Sequence, residues 1–499
     1  MKRFLPPFLS ALLLLGMAAP AAQAQSTHQE EAARYQHLED FKTDAEYGKA
    51  LGHDMEKMRK ASATQKSQRT TTAQPLSKRV LGWYPYWNAE EYTTYDFSNF
   101  HTIAYFSYEV NPSTGGAITT RTWNTTGLIA AAHAAGVKVV LTVTNFGNAN
   151  NATLLNSPAA KKNLINNLIT VVKARNGDGV NIDFETVGVA QRDSLTKFMN
   201  ELSDRFHAEI PGSLVSIALP AIQWTEVFMV RQMTQVDDFY IMGYDYHYSG
   251  SLKSGPVAPL KASNSAYWGS TLNSTYSVNW YLGRGVPANK LHLAVPYYGR
   301  QWATKSGTVP DSTRNKVAAS ISKAYATAKV EAERYGRQWS TQGDVPYYTY
   351  QSSSGQWYQV FYDDPESLGL KYDLVNQKGL AGIGIWALGH DKMAENPELN
   401  AVLREKFPPA PLSAADELDA EGSMTYPNPV KRGQDVALSR KLSGVPVALA
   451  LRDAMGRNYP QPVLSAQGTF STQGLASGVY FLTATTAKGS TTHRVVVVD

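Results

Sequence analysis

A chain of 499 residues is too long for one ordinary core, so we expect a large domain with smaller units appended to it. The chain contains no cysteine, which excludes disulfide bonds and thiolate metal sites. The net charge of +5 does not indicate a nucleic-acid partner, because residues 424–499 alone carry eight Lys or Arg against three Asp or Glu.

The first 24 residues have the pattern of a secretory signal peptide. Lys2 and Arg3 precede an apolar run over 11–19 and small residues that end at Ala24, where we expect cleavage. The run is too short for a permanent membrane span, and no later segment approaches the roughly 20 apolar residues required. Residues 25–78 predict a helical leader over about 28–59, followed by a flexible linker rich in Thr, Gln and Ser over 61–74.

Short β-type runs alternate with helical stretches between residues 79 and 407. The eight runs cover 80–84, 102–108, 138–144, 179–185, 214–219, 238–244, 291–296 and 382–387. This alternation predicts the α/β class and a (β/α)8 TIM barrel, in which chemistry occurs at the carboxyl ends of the strands. The long gap before the eighth run predicts a small α+β insertion at about 303–362, with a hairpin formed by 347–350 and 356–362.

The last part of the chain predicts a second, smaller domain. Residues 408–423 form a linker rich in Pro, Ala and acidic residues. Short strands over 435–439, 448–452 and 479–485 alternate with glycine-containing turns, which favours a C-terminal β-sandwich over 424–499.

The most informative stretch is the octapeptide over 178–185, Asp-Gly-Val-Asn-Ile-Asp-Phe-Glu. Apolar and polar residues alternate in it, as in a β-strand, so that Asp183 and Glu185 share one face about 6–7 Å apart. Buried carboxylates require partners or a chemical use. A solvated edge strand is the alternative interpretation, and an acid-catalysis site is the favoured one.

Three motifs together resemble glycoside hydrolase family 18. The octapeptide is similar to the strand-four signature of that family. Residues 240–245, Tyr-Ile-Met-Gly-Tyr-Asp, resemble its strand-six motif, and residues 384–389, Gly-Ile-Trp-Ala-Leu-Gly, resemble its strand-eight segment. The motifs occur in the family's order within 79–407.

The resemblance implies chitinase-like cleavage beside N-acetylglucosamine, with retention and with the substrate's own acetamido group as nucleophile. Glu185 would be the general acid, and Asp183 would orient the acetamido group. Tyr244 would hydrogen-bond the acetamido carbonyl, Asp245 would position the sugar, and Trp386 would form an apolar floor beneath it.

Further substrate contacts are expected from residues in or beside these motifs and from aromatic residues near strand ends. They are Met242, Asn181, Asp178, Trp83, Tyr84, Tyr246 and Tyr298. For each aromatic residue, packing at the barrel rim is the alternative. No cofactor is expected, and no metal, because the histidines lack metal-ligand spacing.

Three departures from the common family pattern occur, and two of them, Asn181 and the third strand, leave the substrate open. Asn181 stands where many members have Asp, and Phe184 where many have Trp; the third strand also lacks the usual Ser-x-Gly-Gly. Chitin is the first expectation, and the Asn form resembles members that act on peptidoglycan N-acetylglucosamine. A catalytically silent, lectin-like barrel is the third interpretation, disfavoured because Asp183 and Glu185 are both present.

The C-terminal domain resembles the sorting domain of type IX secretion cargo. Residues 426–429, Tyr-Pro-Asn-Pro, and 478–482, Gly-Val-Tyr-Phe-Leu, carry the likeness. It implies the outer-membrane secretion machinery as a partner and a secreted or cell-surface location in a Gram-negative bacterium. A carbohydrate-binding β-sandwich is the alternative.

Overall fold

The computed structural model describes residues 26–35, 41–53, 75–310, 320–409, 425–427 and 429–438, and within the remainder 448–453, 457–460, 462–463, 465, 469–486 and 489–499. The predicted signal peptide, the linker over 61–74 and most of the linker over 408–423 lie outside these residues. The chain divides into two compact units, one formed by 1–61 with 78–406 and the other by 62–77 with 407–499. Among the described helices, none combines the length and apolar character needed to cross a membrane.

Strands of the first unit form a barrel and a lobe. In chain order they are β1 Arg79–Pro85, β2 Thr102–Val110, β3 Ala117–Thr119, β4 Lys138–Phe146, β5 Gly179–Glu185, β6 Leu214–Leu219, β7 Asp238–Met242, β8 Leu291–Pro296, β9 Tyr298–Thr304, β10 Ser320–Ala324, β11 Gln338–Ser340, β12 Val345–Gln351, β13 Trp357–Phe361 and β14 Gly382–Trp386.

Eight parallel strands close the barrel in the order β1, β2, β4, β5, β6, β7, β8 and β14, and β14 pairs again with β1. Their apolar residues are buried on both faces, as expected for a sheet covered by helices outside and filled by side chains inside. The predicted (β/α)8 barrel is thereby confirmed. The strand predicted over 238–244 ends earlier: β7 stops at Met242, because the Gly243 and Tyr244 amides donate to the carbonyls of Ile241 and Met242.

Helices lie before, between and after the strands. They are α1 Thr27–Tyr35, α2 Asp44–Ala50, α3 Leu128–His133, α4 Asn148–Leu155, α5 Pro158–Ala174, α6 Arg192–Glu209, α7 Ser274–Gly283, α8 Tyr325–Tyr335, α9 Pro365–Gln377 and α10 Glu398–Lys406. Some of the helix starts follow ordinary capping rules: Ser157 caps α5 before a proline, and Asp364 closes a capping box at α9.

The predicted insertion between the seventh and eighth barrel strands is an α+β lobe. Strands β9–β13 form an antiparallel sheet in the order β10-β9-β13-β12-β11, and α8 packs on it. The predicted hairpin is the pair β12 and β13. The sheet starts at Tyr298, earlier than residue 303, and its core joins Trp302, Val345 and Phe361 to Trp268.

The leader contributes two helices to the first unit. In α2, Asp44 is buried and accepts hydrogen bonds from the hydroxyls of Thr122 (2.6 Å) and Thr126 (2.7 Å). Helix α1 lies at the barrel mouth, described below.

In the second unit, the described strands form two sheets that share one apolar core. The strands are β15 Thr425–Tyr426, β16 Val430–Lys431, β17 Asp435–Leu438, β18 Ala448–Asp453, β19 Asn458–Tyr459, β20 Thr469–Ser471, β21 Gly478–Thr486 and β22 Gly489–Val498. One sheet has the order β15-β17-β20 and the other β16-β22-β21-β18-β19. Val436 and Phe470 of the first sheet pack in one cluster with Leu449, Leu482 and Val495 of the second, as in a β-sandwich.

Candidate active site

Strand β5 carries the candidate carboxylates into the barrel mouth. Its alternation turns Asn181, Asp183 and Glu185 inward, while Phe184 points outward and stacks on Phe198 of α6 at 5.8 Å between ring centroids. Asp183 is completely buried and Glu185 is 7% exposed. The octapeptide is therefore a barrel strand and not a solvated edge.

The segment after β7 supplies a second group of candidate residues. Met242 ends the strand half-buried, and the amide of Tyr244 donates to its carbonyl at 2.8 Å. Asp245 follows with φ of 54°, a left-handed conformation that Asp tolerates better than most residues. The Tyr298 hydroxyl, at the start of β9, donates to Asp245 Oδ1 at 2.6 Å. The barrel and the inserted lobe thus both contribute to the site.

Two buried tryptophans form the floor of the site. Trp386 is the last residue of β14, and the Trp83 ring lies 6.3 Å from it between centroids. Trp83 Nε1 donates to Asn181 Oδ1 at 2.9 Å, and Asn181 Nδ2 donates to Ser216 Oγ at 2.9 Å. Gly384 leaves room for this floor, since a Cβ there would lie 2.7 Å from the Trp83 ring. Asn181 therefore lies below the site, where its hydrogen bond holds the Trp83 side chain in position.

The imidazole of His28, in the leader, lies at the centre of the candidate residues. Its Nδ1 is 2.9 Å from Asp183 Oδ2, and its Nε2 is 2.8 Å from the Tyr244 hydroxyl. The ring lies 3.7 Å from the Trp386 ring between centroids, at an interplanar angle of 31°. The sequence predicted a helical leader but gave no signal that its histidine would reach the barrel.

Neighbours of His28 contact the remaining candidate residues. The Ser26 hydroxyl donates to Glu185 Oε1 at 2.8 Å, and Gln29 Nε2 donates to Glu185 Oε2 at 3.4 Å. The backbone amide and the hydroxyl of Thr27 donate to the two oxygens of Asp245 at 2.7 and 2.8 Å. The leader thus covers both oxygens of each of these two carboxylates.

Burial and charge together shift the protonation of the central groups. Burial raises the pKa of Glu185, the negative charge of Asp183 raises it further, and the hydrogen bond and charge of His28 oppose the rise. Burial alone would lower the pKa of His28, but Asp183 and Glu185 outweigh it and raise that pKa to about 10. Burial, with the charges of Asp183 and its neighbours, raises the pKa of Tyr244, which stays protonated.

His28, Asp183 and Glu185 are the group among the described residues that could hold a metal ion, with one ligand atom from each within 4.8 Å of the others. A metal ligand must be a neutral imidazole. The pKa of about 10 makes His28 an imidazolium near neutral pH, and its Nδ1 is at hydrogen-bonding distance from Asp183. The three residues form an ion-paired cluster, with His28 Nδ1 2.9 Å from Asp183 Oδ2 and 3.4 Å from Glu185 Oε1.

Asp178 is not brought to the site. It precedes β5, and its Oδ2 accepts from His133 Nε2 at 2.7 Å and from the Val139 amide at 2.6 Å. A seven-residue strand spans roughly 23 Å, so Asp178 and Glu185 lie at opposite ends of the barrel. Its contacts stabilise the start of the strands.

Tyr84 and Tyr246 also pack away from the carboxylates. Tyr84 alternates with Trp83 and faces outward, where its hydroxyl donates to the Ala89 carbonyl at 2.7 Å. The Tyr246 hydroxyl lies 2.6 Å from Ser277 Oγ in α7. Both residues are nearly fully buried, in agreement with packing at the barrel rim.

A cavity of about 300 Å³ lies beside the leader at the barrel mouth. Residues of α1 form one wall, and β2 with β4 forms the opposite wall, which includes Phe106, Glu109 and Asn145. Polar and aromatic residues therefore line a cavity next to the leader.

A parallel α/β barrel with an acid of raised pKa, a neighbouring carboxylate and a tryptophan floor at its mouth defines a glycosidase. The model of the family "Glycosyl hydrolases family 18" matches residues 79–391, which is more than half of the chain. The chain belongs to glycoside hydrolase family 18, as its motifs predicted. Residues 424–498 match the model described as "Secretion system C-terminal sorting domain", which confirms the second resemblance and indicates a secreted or cell-surface protein.

Individual relatives agree with this assignment. The chain is 30% identical over 302 residues to the "Putative sporulation-specific glycosylase YdhD" of Bacillus subtilis, covering 58% of this chain and 65% of that protein. It is 27% identical to the di-N-acetylchitobiase of Rattus norvegicus over 52% of this chain and 72% of that one. The chain thus spans slightly less than two thirds of the glycosylase.

A solved structure shares the fold. The family 18 chitinase of Cycas revoluta, in complex with (GlcNAc)3, aligns with a TM-score of 0.56 and 20% identity, over 66% of this chain and 99% of that one. The family match and these relatives indicate a glycosidase.

Proposed function

We propose that this glycosidase hydrolyses β-1,4-linked N-acetylglucosamine polymers, with chitin or chitooligosaccharides as the first substrate. We also propose that catalysis is retaining and assisted by the substrate's acetamido group. The single observation that carries this proposal is the position of His28, which bridges Asp183 and Tyr244 above Trp386.

The bridged position has the chemistry of an acetamido site. An acetamido group offers an N–H donor and a carbonyl acceptor a few ångströms apart, a spacing similar to that of the two imidazole nitrogens that contact Asp183 and Tyr244. A carboxylate such as Asp183 accepts from the N–H, and a protonated Tyr244 donates to the carbonyl. Asp183 Oδ1 is buried and has no hydrogen-bond partner among the described residues, so one acceptor is free for a ligand.

In the first step, Glu185 donates its proton to the glycosidic oxygen as the bond from that oxygen to the anomeric carbon breaks. The acetamido carbonyl oxygen forms the new bond to the same carbon and gives an oxazolinium ion, whose N–H faces the Asp183 carboxylate. In the second step, the Glu185 carboxylate accepts a proton from water while the water oxygen attacks the anomeric carbon. The bond from the acetamido oxygen to that carbon breaks at the same time, which restores the acetamido group. Two inversions at one carbon give net retention.

The raised pKa of Glu185 supports its role as the acid. A carboxyl group acts as a general acid near neutral pH only if its pKa lies above the ordinary range, and burial beside Asp183 has this effect. Trp386 offers an apolar face to the sugar, and Asp245, held by Tyr298, offers a hydrogen-bond acceptor to a sugar hydroxyl.

Product release from N-acetyl chitooligosaccharides tests this proposal. The wild type and Glu201→Gln, a control at an exposed glutamate on α6, should release products at equal rates. Glu185→Gln should lose at least about a hundredfold in kcat, as expected for removal of a general acid. Equal rates for Glu185→Gln and wild type would refute the assignment of Glu185.

A peptidoglycan N-acetylglucosaminidase is the second candidate. Two observations favour it: Asn181 occupies the floor position, and the similarity extends to a sporulation-specific glycosylase. Purified peptidoglycan and chitin, incubated with the same enzyme and followed by size analysis of the products, separate the two substrates. Release of reducing ends from peptidoglycan alone would move the proposal to that polymer, whereas tight binding of chitin without hydrolysis would favour a lectin-like barrel.

We further propose export through the outer membrane of a Gram-negative bacterium, directed by the C-terminal domain and by an N-terminal signal peptide. The match of residues 424–498 to a sorting domain supports this route. Deletion of residues 424–499 should retain the enzyme inside the cell, as measured by activity in the medium, on the cell surface and in lysates. Unchanged export of the truncated chain would contradict the proposal.

A further inference from the structure

The groups that the proposed mechanism assigns to the sugar are all in contact with the chain's own leader. Ser26 and Gln29 contact Glu185, Thr27 contacts Asp245, and His28 contacts Asp183 and Tyr244. A sugar in the proposed orientation requires the same hydrogen-bonding atoms and the same face of Trp386. Leader and sugar therefore exclude each other.

Additional contacts hold α1 across the whole mouth. Arg300 of β9, which is fully buried, donates to Thr27 Oγ1 at 3.1 Å and to Glu30 Oε2 at 2.8 Å. Glu31 Oε2 accepts from Trp386 Nε1 at 3.1 Å. At the other end of the helix, the Tyr35 ring stacks on Trp87 at 4.7 Å between centroids.

The leader contacts the site through polar groups. It places hydroxyls, an amide and an imidazole against three carboxylates of the site. The residues involved are fully or largely buried, with Thr27 and His28 completely buried. Buried charges require such partners, so the leader satisfies the polar groups that a bound sugar would otherwise satisfy.

We propose that residues 26–35 are an intramolecular inhibitor that occupies the sugar site of this glycosidase and leaves it before substrate binds. The inference rests on the proposed function. Only the fraction of molecules with an open site binds substrate, so the apparent KM rises by the inverse of that fraction while kcat is retained. Helix α2 need not move, because its contacts through Asp44 lie outside the catalytic cleft.

Kinetic measurements on four forms of the protein test whether the leader acts as an inhibitor. They are the wild type, a deletion of residues 26–35, His28→Ala, and Arg34→Lys as a matched control on the exposed side of α1. On a soluble chitooligosaccharide, the deletion and His28→Ala should lower the apparent KM by about tenfold or more, because each charged hydrogen bond lost weakens docking by about that factor. Arg34→Lys should match the wild type.

A synthetic peptide of residues 26–35, added to the deletion variant, separates this inference from the proposed function. The peptide should inhibit competitively and should bind in titration calorimetry, and a scrambled peptide should do neither. If no form cleaves any substrate, the proposed function fails, and displacement of the bound peptide by chitotetraose still supports a shared site. Wild-type kinetics in both leader variants, or peptide binding that chitotetraose does not displace, would overturn the inhibitor.

Discussion

Docking of the leader should depend strongly on pH, because His28 is charged in the docked state and mostly neutral when free near neutral pH. In the docked state it faces Asp183, Glu185 and Tyr244, and the two carboxylates raise its pKa from 6.5 to about 10. A group whose pKa is higher in the docked state stabilises that state fully below its free pKa. The stabilisation is then lost as the pH rises through the docked value.

The other charged groups at this interface act in different directions. Glu185 opposes His28, because the hydrogen bond and charge of His28 lower the pKa of Glu185 on docking, and a group whose pKa is lowered favours docking at higher pH. Burial would lower the pKa of His390, but Glu31 of the leader outweighs it and raises that pKa, so His390 also favours docking at lower pH. Arg300 stays charged throughout, because the charges of Asp245 and Glu30 raise its pKa and outweigh the effect of burial. Between pH 6.5 and pH 8.5, His28 alone should weaken docking about 50-fold.

Titration calorimetry of the 26–35 peptide into the deletion variant measures this effect. We expect Kd to rise about 50-fold between pH 6.5 and pH 8.5, and binding at pH 8.5 to take up close to one proton, seen as a dependence of heat on the buffer. A peptide with His28→Ala should lose most of this dependence. A Kd that is independent of pH, or release of protons on binding, would refute the charge pairing of His28.

Three further substitutions separate catalysis from stability. Tyr298→Phe removes the 2.6 Å hydrogen bond to Asp245, so kcat/KM in the leader-deleted chain should fall about tenfold with little change in Tm. An unaltered kcat/KM would show that catalysis does not require Tyr298 to position Asp245. Lys371→Met removes the ion-pair partner of the buried Asp363 carboxylate, so the free energy of unfolding in urea should fall by about 3–5 kcal/mol. An unchanged urea midpoint would contradict this prediction. Asp178→Asn should lower stability by about 1 kcal/mol and leave kcat and KM unchanged, whereas a large rise in KM would return Asp178 to the substrate site.

The barrel could be predicted from the sequence because its strands are short β-type runs, either mostly apolar or alternating, with local boundaries. The runs over 179–185, 214–219 and 291–296 coincide with β5, β6 and β8. The same local pattern turns Asp183 and Glu185 to one face. Helix α7 has no such signal, because two of its four buried residues are serines, and its start depends on capping by Asn273.

The parts of the site that the sequence could not reveal depend on distant pairing. Asp178 belongs to the octapeptide by position, but the length of β5 separates it from Glu185. Tyr84 follows Trp83 directly, and strand alternation sends the two side chains to opposite faces. His28 pairs with Asp183 across 155 positions, and a polar leader carries no pattern that names its partner.

The most direct test of the central claim is the rate at which the leader-deleted chain cleaves N-acetyl chitooligosaccharides, with Glu185 intact and with Glu185→Gln. We expect rapid release of β-anomeric products by the first form and at least about a hundredfold slower release by the second. Equal rates in the two forms, or products of inverted configuration, would contradict it.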